Sequence, residues 1–204
     1  MATTSSSQRR SEILDAVVQV IIDIGFAEMT VADVAHAAGV STALVHYHFT
    51  SKSELIEAAL QVASADDRRF RDTIVAGPGS ATARLDAVLC GSLPDDASDH
   101  SWLLWIEAWS LTRRSTGIRA VMAELDEHEV ASIEQLLRDG QAAGEFEVSD
   151  VHPTATRLTS LRDGLAIDRT LLHENAAADA VIEQLRHSLR FNLGLSPSSY
   201  AALL

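Results

Sequence analysis

Few residues of this chain sit where they could make or break a bond. There is no nucleophile–base pair, no phosphate loop and no cluster with metal-ligand spacing. No catalytic residue, metal or cofactor is assigned, and an all-α enzyme is the disfavoured class. Polar chemistry concentrates instead in residues 30–52, TVADVAHAAGVSTALVHYHFTSK. These side chains exchange hydrogen bonds rather than react. Ser41 and Thr42 offer hydroxyls at what reads as a helix start, where exposed amides favour phosphate. His46 and Tyr47 can donate to phosphate oxygens, and Ala43 and Leu44 can touch thymine methyl groups. Lys52 supplies a charge. His46 and His48, two apart on a helix, point nearly opposite ways, so no shared metal is expected.

The elements that must hold these residues follow from periodicity. Ile13, Ala16, Val17, Val20, Ile21 and Ile24 recur at three and four spacing, one face of a helix from Gln8 that Gly25 ends. Thr30 reads as an N-cap with Asp33 as its capping-box partner, for a helix over 31–38. Gly39 makes a tight turn, Val40 plugs it, and a second short helix runs from Ser41–Thr42 to near Phe49. Val45 and Phe49, four apart, anchor that helix to the core. Ser41, Thr42, Ala43, Leu44, His46 and Tyr47 then face solvent, as a helix-turn-helix that reads the major groove requires. Two ordinary helices of an unrelated bundle are the competing reading.

The ordered set from Ile13 to Leu60 is more specific. Gly25-Phe26, Thr30-Val31, Ala38-Gly39-Val40-Ser41, Leu44 through Phe49 and Ser51-Lys52-Ser53-Glu54-Leu55 resemble the DNA-binding domain of the TetR family of regulators. The family usually has Tyr-His-Tyr-Phe where this chain has His46-Tyr47-His48-Phe49, and its phosphate-contacting aromatic maps onto Tyr47. It also often has Lys, Arg or Pro around Thr42-Ala43. The resemblance implies DNA contacts from Thr30, Ser41, Thr42, Ala43, Leu44, His46, Tyr47 and Lys52. It further implies a palindromic double-stranded DNA operator, a homodimer, a C-terminal ligand-sensing domain and, as the commoner family behaviour, repression released by a small-molecule effector. WLLWIEAW, Gly140 with Gly144-Glu145-Phe146, and Asp163-Gly164-Leu165 resemble the subgroup that includes choline-responsive betaine-pathway repressors.

Downstream, helices are expected from Lys52 to about Phe70, Ala81 to Cys90, His100 to Arg114, Ile118 to Leu137, Pro153 to about Leu172, and to Leu193 from a cap at Asn175. Loops separate them at 77–80 and 94–99, and Gly140 and Gly144 close the long helix. The expectation is an all-α chain of about nine helices. Residues 1–7 form a disordered tail, 8–51 a three-helix helix-turn-helix domain, 52–195 a ligand-binding and dimerisation domain, and 196–204 a C-terminal tail. Trp102, Trp105, Ile106 and Trp109 share one face of a helix that is apolar almost all round, and Glu107 interrupts it. Glu129 falls within a later apolar stripe and Asp168 at the edge of another. Two readings stand open. Trp102, Trp105, Trp109, Glu107, Glu129 and Asp168 line a pocket for a cationic effector such as a quaternary ammonium compound or polyamine. Alternatively the tryptophans are core, and the acids pair with Arg113, Arg119, Arg162 or Arg169. The stripes Leu158, Leu161, Leu165 and Val181, Ile182, Leu185, Leu189 either form a four-helix interface with a second copy or close the core of one chain.

Composition limits the function classes. The 204 residues are 47% hydrophobic, enough for a packed core, with a formal net charge of -13. Residues 1–52 hold three basic residues (Arg9, Arg10, Lys52) against five acidic, a net of -2, which leaves -11 in the remainder. A near-neutral head on an acidic body can still bind DNA if its few donors converge on phosphates, with modest non-specific affinity. Cys90 is the lone cysteine, so no intrachain disulfide forms. The polar first eight residues lack a signal-peptide core and no apolar run is membrane-long, so a soluble cytoplasmic protein with no membrane partner is expected. A small-molecule-binding helical protein that has lost DNA recognition is the other class left open.

Overall fold

The structure is a computed structural model that describes residues 6–94, 101–172 and 178–204. The expected tail at 1–5, most of the loop at 94–99, His100 and the Asn175 cap lie outside the described residues. Ten helices occur among the described residues: α1 Ser6–Glu28, α2 Val31–Ala37, α3 Thr42–His48, α4 Lys52–Val75, α5 Ala81–Cys90, α6 Ser101–Leu111, α7 Thr116–Ala143, α8 Val151–Leu171, α9 Ala178–Leu193 and α10 Pro197–Leu203. The all-α expectation holds. No helix among the described residues is long and apolar enough to cross a membrane.

The chain forms two compact units. One comprises Met1–Asp66 and Leu103–Glu124; the other comprises Asp67–Trp102 and Leu125–Leu204. The core of the first is built on Ile13, Leu14, Val17, Val20 and Ile21 of α1. Phe26, Met29, Val34, Ala35, Val45 and Phe49 close over them, with Leu55, Ile56, Ala59 and Leu60 of α4. Leu104 and Ala108 of α6 and Ile118, Val121 and Met122 of α7 complete it. α1 is broken at Gly25, whose φ of 77° and ψ of 164° place it in a region that side chains with a Cβ avoid. Ile24, assigned to the buried face by periodicity, is instead 46% exposed just before that break.

In the second unit, charged side chains finish helix ends. The Glu145 carboxylate accepts hydrogen bonds from the Ala81 amide (2.9 Å), the Thr82 amide (2.8 Å) and the Thr82 hydroxyl (2.8 Å) at the start of α5. Partial burial works against its charge, but these donors hold the carboxyl below the usual range. At the end of α4, Arg84 Nη1 donates to the Val75 carbonyl at 2.5 Å. α4 thus runs to Val75, past the expected end near Phe70. Gly140 does not close α7, which continues to Ala143 before Gly144 (φ 71°) ends it. Gly140 is required for another reason. A Cβ there would lie 2.1 Å from the Phe146 ring, which packs directly on the helix backbone.

The tail expected over 196–204 is a helix, and α1 begins at Ser6, inside the tail expected over 1–7. Ser196 caps α10 by accepting from the Ser199 amide at 3.1 Å, and Pro197 fits the first turn. Tyr200 is buried, and its hydroxyl donates to Asp86 at 2.6 Å. Arg186 of α9 donates to the same carboxylate through Nε (2.8 Å) and its terminal nitrogen (2.9 Å). Burial opposes ionisation of Asp86, yet the Arg186 and Tyr200 hydrogen bonds keep its carboxyl below the ordinary value. Burial and the Asp86 charge push the neighbouring Cys90 thiol up to about 12, which marks it as a core residue. Because the Asp86 carboxyl is lowered on folding, its contribution is present above the ordinary carboxylate value and is lost as pH falls through the folded one. Asp86→Ala is therefore expected to cost about 1.5–3 kcal/mol by urea unfolding at neutral pH, since the Arg186 left behind is partly solvated. Asp86→Asn flattens the acid limb of the stability–pH curve, and Tyr200→Phe costs about 1 kcal/mol.

Candidate functional site

The exposed chemistry of residues 30–52 rests on a small set of local devices. Thr30 caps α2. Its hydroxyl oxygen accepts from the Asp33 amide (3.2 Å), while the Asp33 carboxylate accepts from the Thr30 amide (2.8 Å) and hydroxyl (2.6 Å). These bonds hold the Asp33 carboxyl below its usual range. After α2, the Val40 amide donates to the Ala35 carbonyl at 2.9 Å, and Gly39 takes a φ of 63°. A Cβ at Gly39 would meet nothing within 4 Å, so only backbone conformation demands the glycine. The Ser41 hydroxyl oxygen accepts from the Leu44 amide at 3.2 Å and caps α3.

α3 is held from below by Val45 and, at its C-cap, by Phe49, both buried. The Arg10 guanidinium lies 5.0 Å over the Phe49 ring. Ser41, Thr42, Ala43, His46 and Tyr47 are exposed, and Leu44 is half-buried. Tyr47 is 78% exposed, its ring edge-on to His48 at 5.1 Å. Six of the eight residues singled out from the sequence are thus gathered at Ser41 and along α3. Thr30 is exposed at the cap of α2, with its hydroxyl engaged by Asp33. Lys52 starts α4, but its ammonium is in use: Nζ donates to the Phe26 carbonyl at 2.7 Å and the Ala27 carbonyl at 3.5 Å.

The six residues grouped as a pocket divide between the two units. Trp105, Glu107 and Trp109 belong to the first unit, where both tryptophans pack against its core. The Glu107 carboxylate accepts from the Phe26 amide at 3.2 Å. Trp102 and Glu129 belong to the second unit. Trp102 donates through its indole N–H to the Ser92 carbonyl at 2.7 Å and carries the Arg162 guanidinium 5.3 Å above its ring. Arg162 is itself buried and ion-paired with Glu129 and Asp163. Glu129, also buried, lies 3.7 Å from Arg71. Asp168 is exposed on α8.

Sequence reasoning names Arg162 only as a possible partner and Asp163 only within a motif of the resemblance, and misses Arg71. Arg71 had a signal: it lies eleven residues after Leu60 and seven after Ser64, on one face of α4, and all three are buried. Its Nη2 pairs with Asp67 at 2.7 Å, while Nη1 is buried with no hydrogen-bond partner among the described residues. Burial, then the neighbouring Glu129 charge, raises the Asp126 carboxyl, and burial chiefly raises that of Asp163. Arg71 and Arg162 meet at the buried Glu129, and Arg162 lies over the Trp102 indole, so charge is crowded in this interior.

This arrangement has close counterparts. HTH-type transcriptional regulator BetI of Cronobacter sakazakii is 32% identical over 109 residues, covering 50% of this chain and 52% of that one. BetI of Escherichia coli O17:K52:H18 is 31% identical over 110 residues, covering 51% and 55%. The chain spans about half the length of the curated relatives it matches. Among solved structures, a transcriptional regulator from Saccharomonospora viridis in complex with choline superposes with a TM-score of 0.84 at 25% identity, over 92% of this chain and 98% of that one. A TetR-family regulator from Rhodococcus sp. gives a TM-score of 0.74 at 30% identity, over 92% and 99%. Residues 13–59 match the family model for bacterial regulatory proteins of the tetR family, and residues 81–193 match that for the C-terminal part of BetI-type transcriptional repressors. The second match alone covers more than half of the chain, which therefore belongs to the TetR family, with a C-terminal domain of BetI type.

Proposed function

We propose that this chain is a ligand-responsive transcriptional repressor that binds a palindromic operator as a homodimer. The observation that carries this reading is the split of α3: Val45 and Phe49 are spent on the core, while Ser41, Thr42, Ala43, His46 and Tyr47 are left to solvent. Leu44 and Thr30 flank them. Lys52 serves the surface by bracing the corner before α2 and by adding positive charge at the start of α4. Two such heads read successive major grooves when their spacing is about 34–36 Å.

The dimer is supported by apolar surface on α8 and α9. Leu158, Val181, Leu185 and Leu189 are buried within the chain, so that part of the two stripes closes its own core. Leu161, Leu165 and Ile182 remain partly open, and Leu172 and Phe191 are 71% and 82% exposed. A shallow groove of about 540 Å³ lies between Leu161 on α8 and Ala180, Glu183, Gln184, His187 and Ser188 on α9. A second copy covering these faces removes a hydrophobic surface that a monomer would leave in water.

The effector is a small cation, and the group around Trp102, Glu129 and Asp163 is its site. The carboxylates there are crowded enough to resist ionisation, which added positive charge would relieve. The Arg162 guanidinium already occupies the indole face, so an incoming quaternary ammonium group competes with a cation built into the protein. The choline carried by the Saccharomonospora viridis regulator has this chemistry. Binding releases DNA if the ligand prefers the state whose heads no longer fit the operator.

Selection from a random DNA pool at two salt concentrations is expected to enrich an inverted repeat. Tyr47→Ala should weaken binding without changing the salt slope, because the phenol carries no charge; each lost ionic phosphate contact would lower that slope by about 0.9. No enrichment at low salt would favour a small-molecule-binding protein without DNA recognition. Phe191→Glu should convert the dimer to a monomer in sedimentation at micromolar concentration; a wild-type chain already monomeric there defeats the homodimer. Choline at about 100 times its Kd should stabilise the chain by about 2.7 kcal/mol in thermal unfolding. Trp102→Ala should abolish that shift, and no wild-type shift at millimolar choline defeats the effector assignment.

A further inference from the structure

Glu107 is the only charged residue of α6, in the run SWLLWIEAWSL, and its carboxylate lies far in sequence from what it binds. A carboxylate on so apolar a helix is costly unless it is hydrogen-bonded. Its partner is the amide of Phe26, 81 residues earlier, at 3.2 Å. The carboxylate also rests on the open side of Gly25, where a Cβ would stand 3.6 Å from both of its oxygens. The carbonyl of the same Phe26 accepts from Lys52 Nζ at 2.7 Å. One residue just after the break in α1 is therefore gripped on its N–H by α6 and on its C=O by α4. Met29, buried three residues on, and the Thr30 cap then fix where α2 begins, and α2 leads directly into α3.

We infer that Glu107 is a positioning residue for DNA reading: through the Phe26 amide it sets the corner from which the helix-turn-helix is launched, and so ties the posture of the reading head to α6. The inference rests on the regulator reading above and gives it a residue. Glu107 shares α6 with Trp105 and Trp109, which pack against the same core as Phe26, so a shift of this helix is delivered to Phe26 through Glu107. Stability alone does not require the arrangement, since an apolar residue at 107 would suit such a helix better.

The test uses the full chain, the selected operator and two readouts: operator affinity by fluorescence anisotropy, and exchange of the Phe26 amide by NMR. Glu107→Ala is expected to weaken operator binding about tenfold and to speed Phe26 exchange, whereas Glu107→Gln, whose carboxamide oxygen still accepts, stays within about threefold of wild type in both. Glu107→Asp retracts the carboxylate by one methylene and is expected to lose affinity too, which keeps the question answerable if the alanine variant does not fold. Wild-type affinity and exchange in Glu107→Ala, or equal damage from Gln and Ala, overturns the inference. If the wild-type chain selects no DNA at all, the regulator reading fails separately. Phe26 exchange then still decides whether Glu107 holds the corner: faster exchange in Glu107→Ala sustains the contact and unchanged exchange overturns it.

Discussion

A helix of seven residues does not hold itself together in water, because nucleation consumes more conformational freedom than one or two hydrogen-bonded turns return. α3 is such a helix, and everything proposed about DNA depends on it. It persists because Val45 and Phe49 are sunk into a core that α1, α4, α6 and α7 all help to build. The Ser41 cap and the Gly39 turn close its entry, and Arg10 covers the Phe49 ring on which it ends. Two apolar anchors leave the rest of the helix free of packing duty, so its outward residues can vary with the base sequence to be read while the frame stays fixed. The large hydrophobic investment in the first unit is thus directed at presenting a few small polar side chains.

The charge balance has a structural explanation that counting residues does not reveal. In the second unit, Arg71, Arg162 and Arg169 are buried, and Arg84 and Arg186 are tied to Asp139 and Asp86. These guanidiniums act as internal struts, planar groups able to satisfy several carboxylates and carbonyls at once. Arg71 and Arg162 are drawn inward together with Glu129, so their charges are offset inside the unit. An acidic surface repels the phosphate backbone and disfavours docking through any part but the head. For the DNA binding proposed above, the net charge of -11 outside residues 1–52 would add repulsion to contacts in setting orientation.

How much of this was legible depended on the distance in sequence between partners. The Thr30–Asp33 capping box, the Gly39 turn and the Val45–Phe49 anchor all lie within a few residues, and the sequence reading matches the structure at each. α10 reads as a tail in the sequence because what orders it, Asp86, is 114 residues from Tyr200. Gly140 reads as a helix end because local rules give a glycine only conformational meanings, whereas its role in the structure is to admit Phe146. Glu107, Glu129 and Asp168 looked alike as acids on or beside apolar faces, yet one grips a backbone amide, one is buried between arginines and one faces solvent. Periodicity says that a side chain points inward and is silent on what it meets there. Lys52 illustrates the converse: a lone cation beside a helix-turn-helix reads as a phosphate contact, but a helix end 25 and 26 residues away claims its protons.

The placement of the tryptophans has one more consequence. The chain has three, and Trp102, Trp105 and Trp109 all lie on α6. Trp102 sits beneath a guanidinium, whereas the other two pack half-buried against the core of the first unit. The tryptophan fluorescence of this chain therefore originates from a single helix, the one that carries Glu107. Without any label, its tryptophan emission is a private recording of α6, to which Trp102 contributes from one unit and the pair Trp105 and Trp109 from the other.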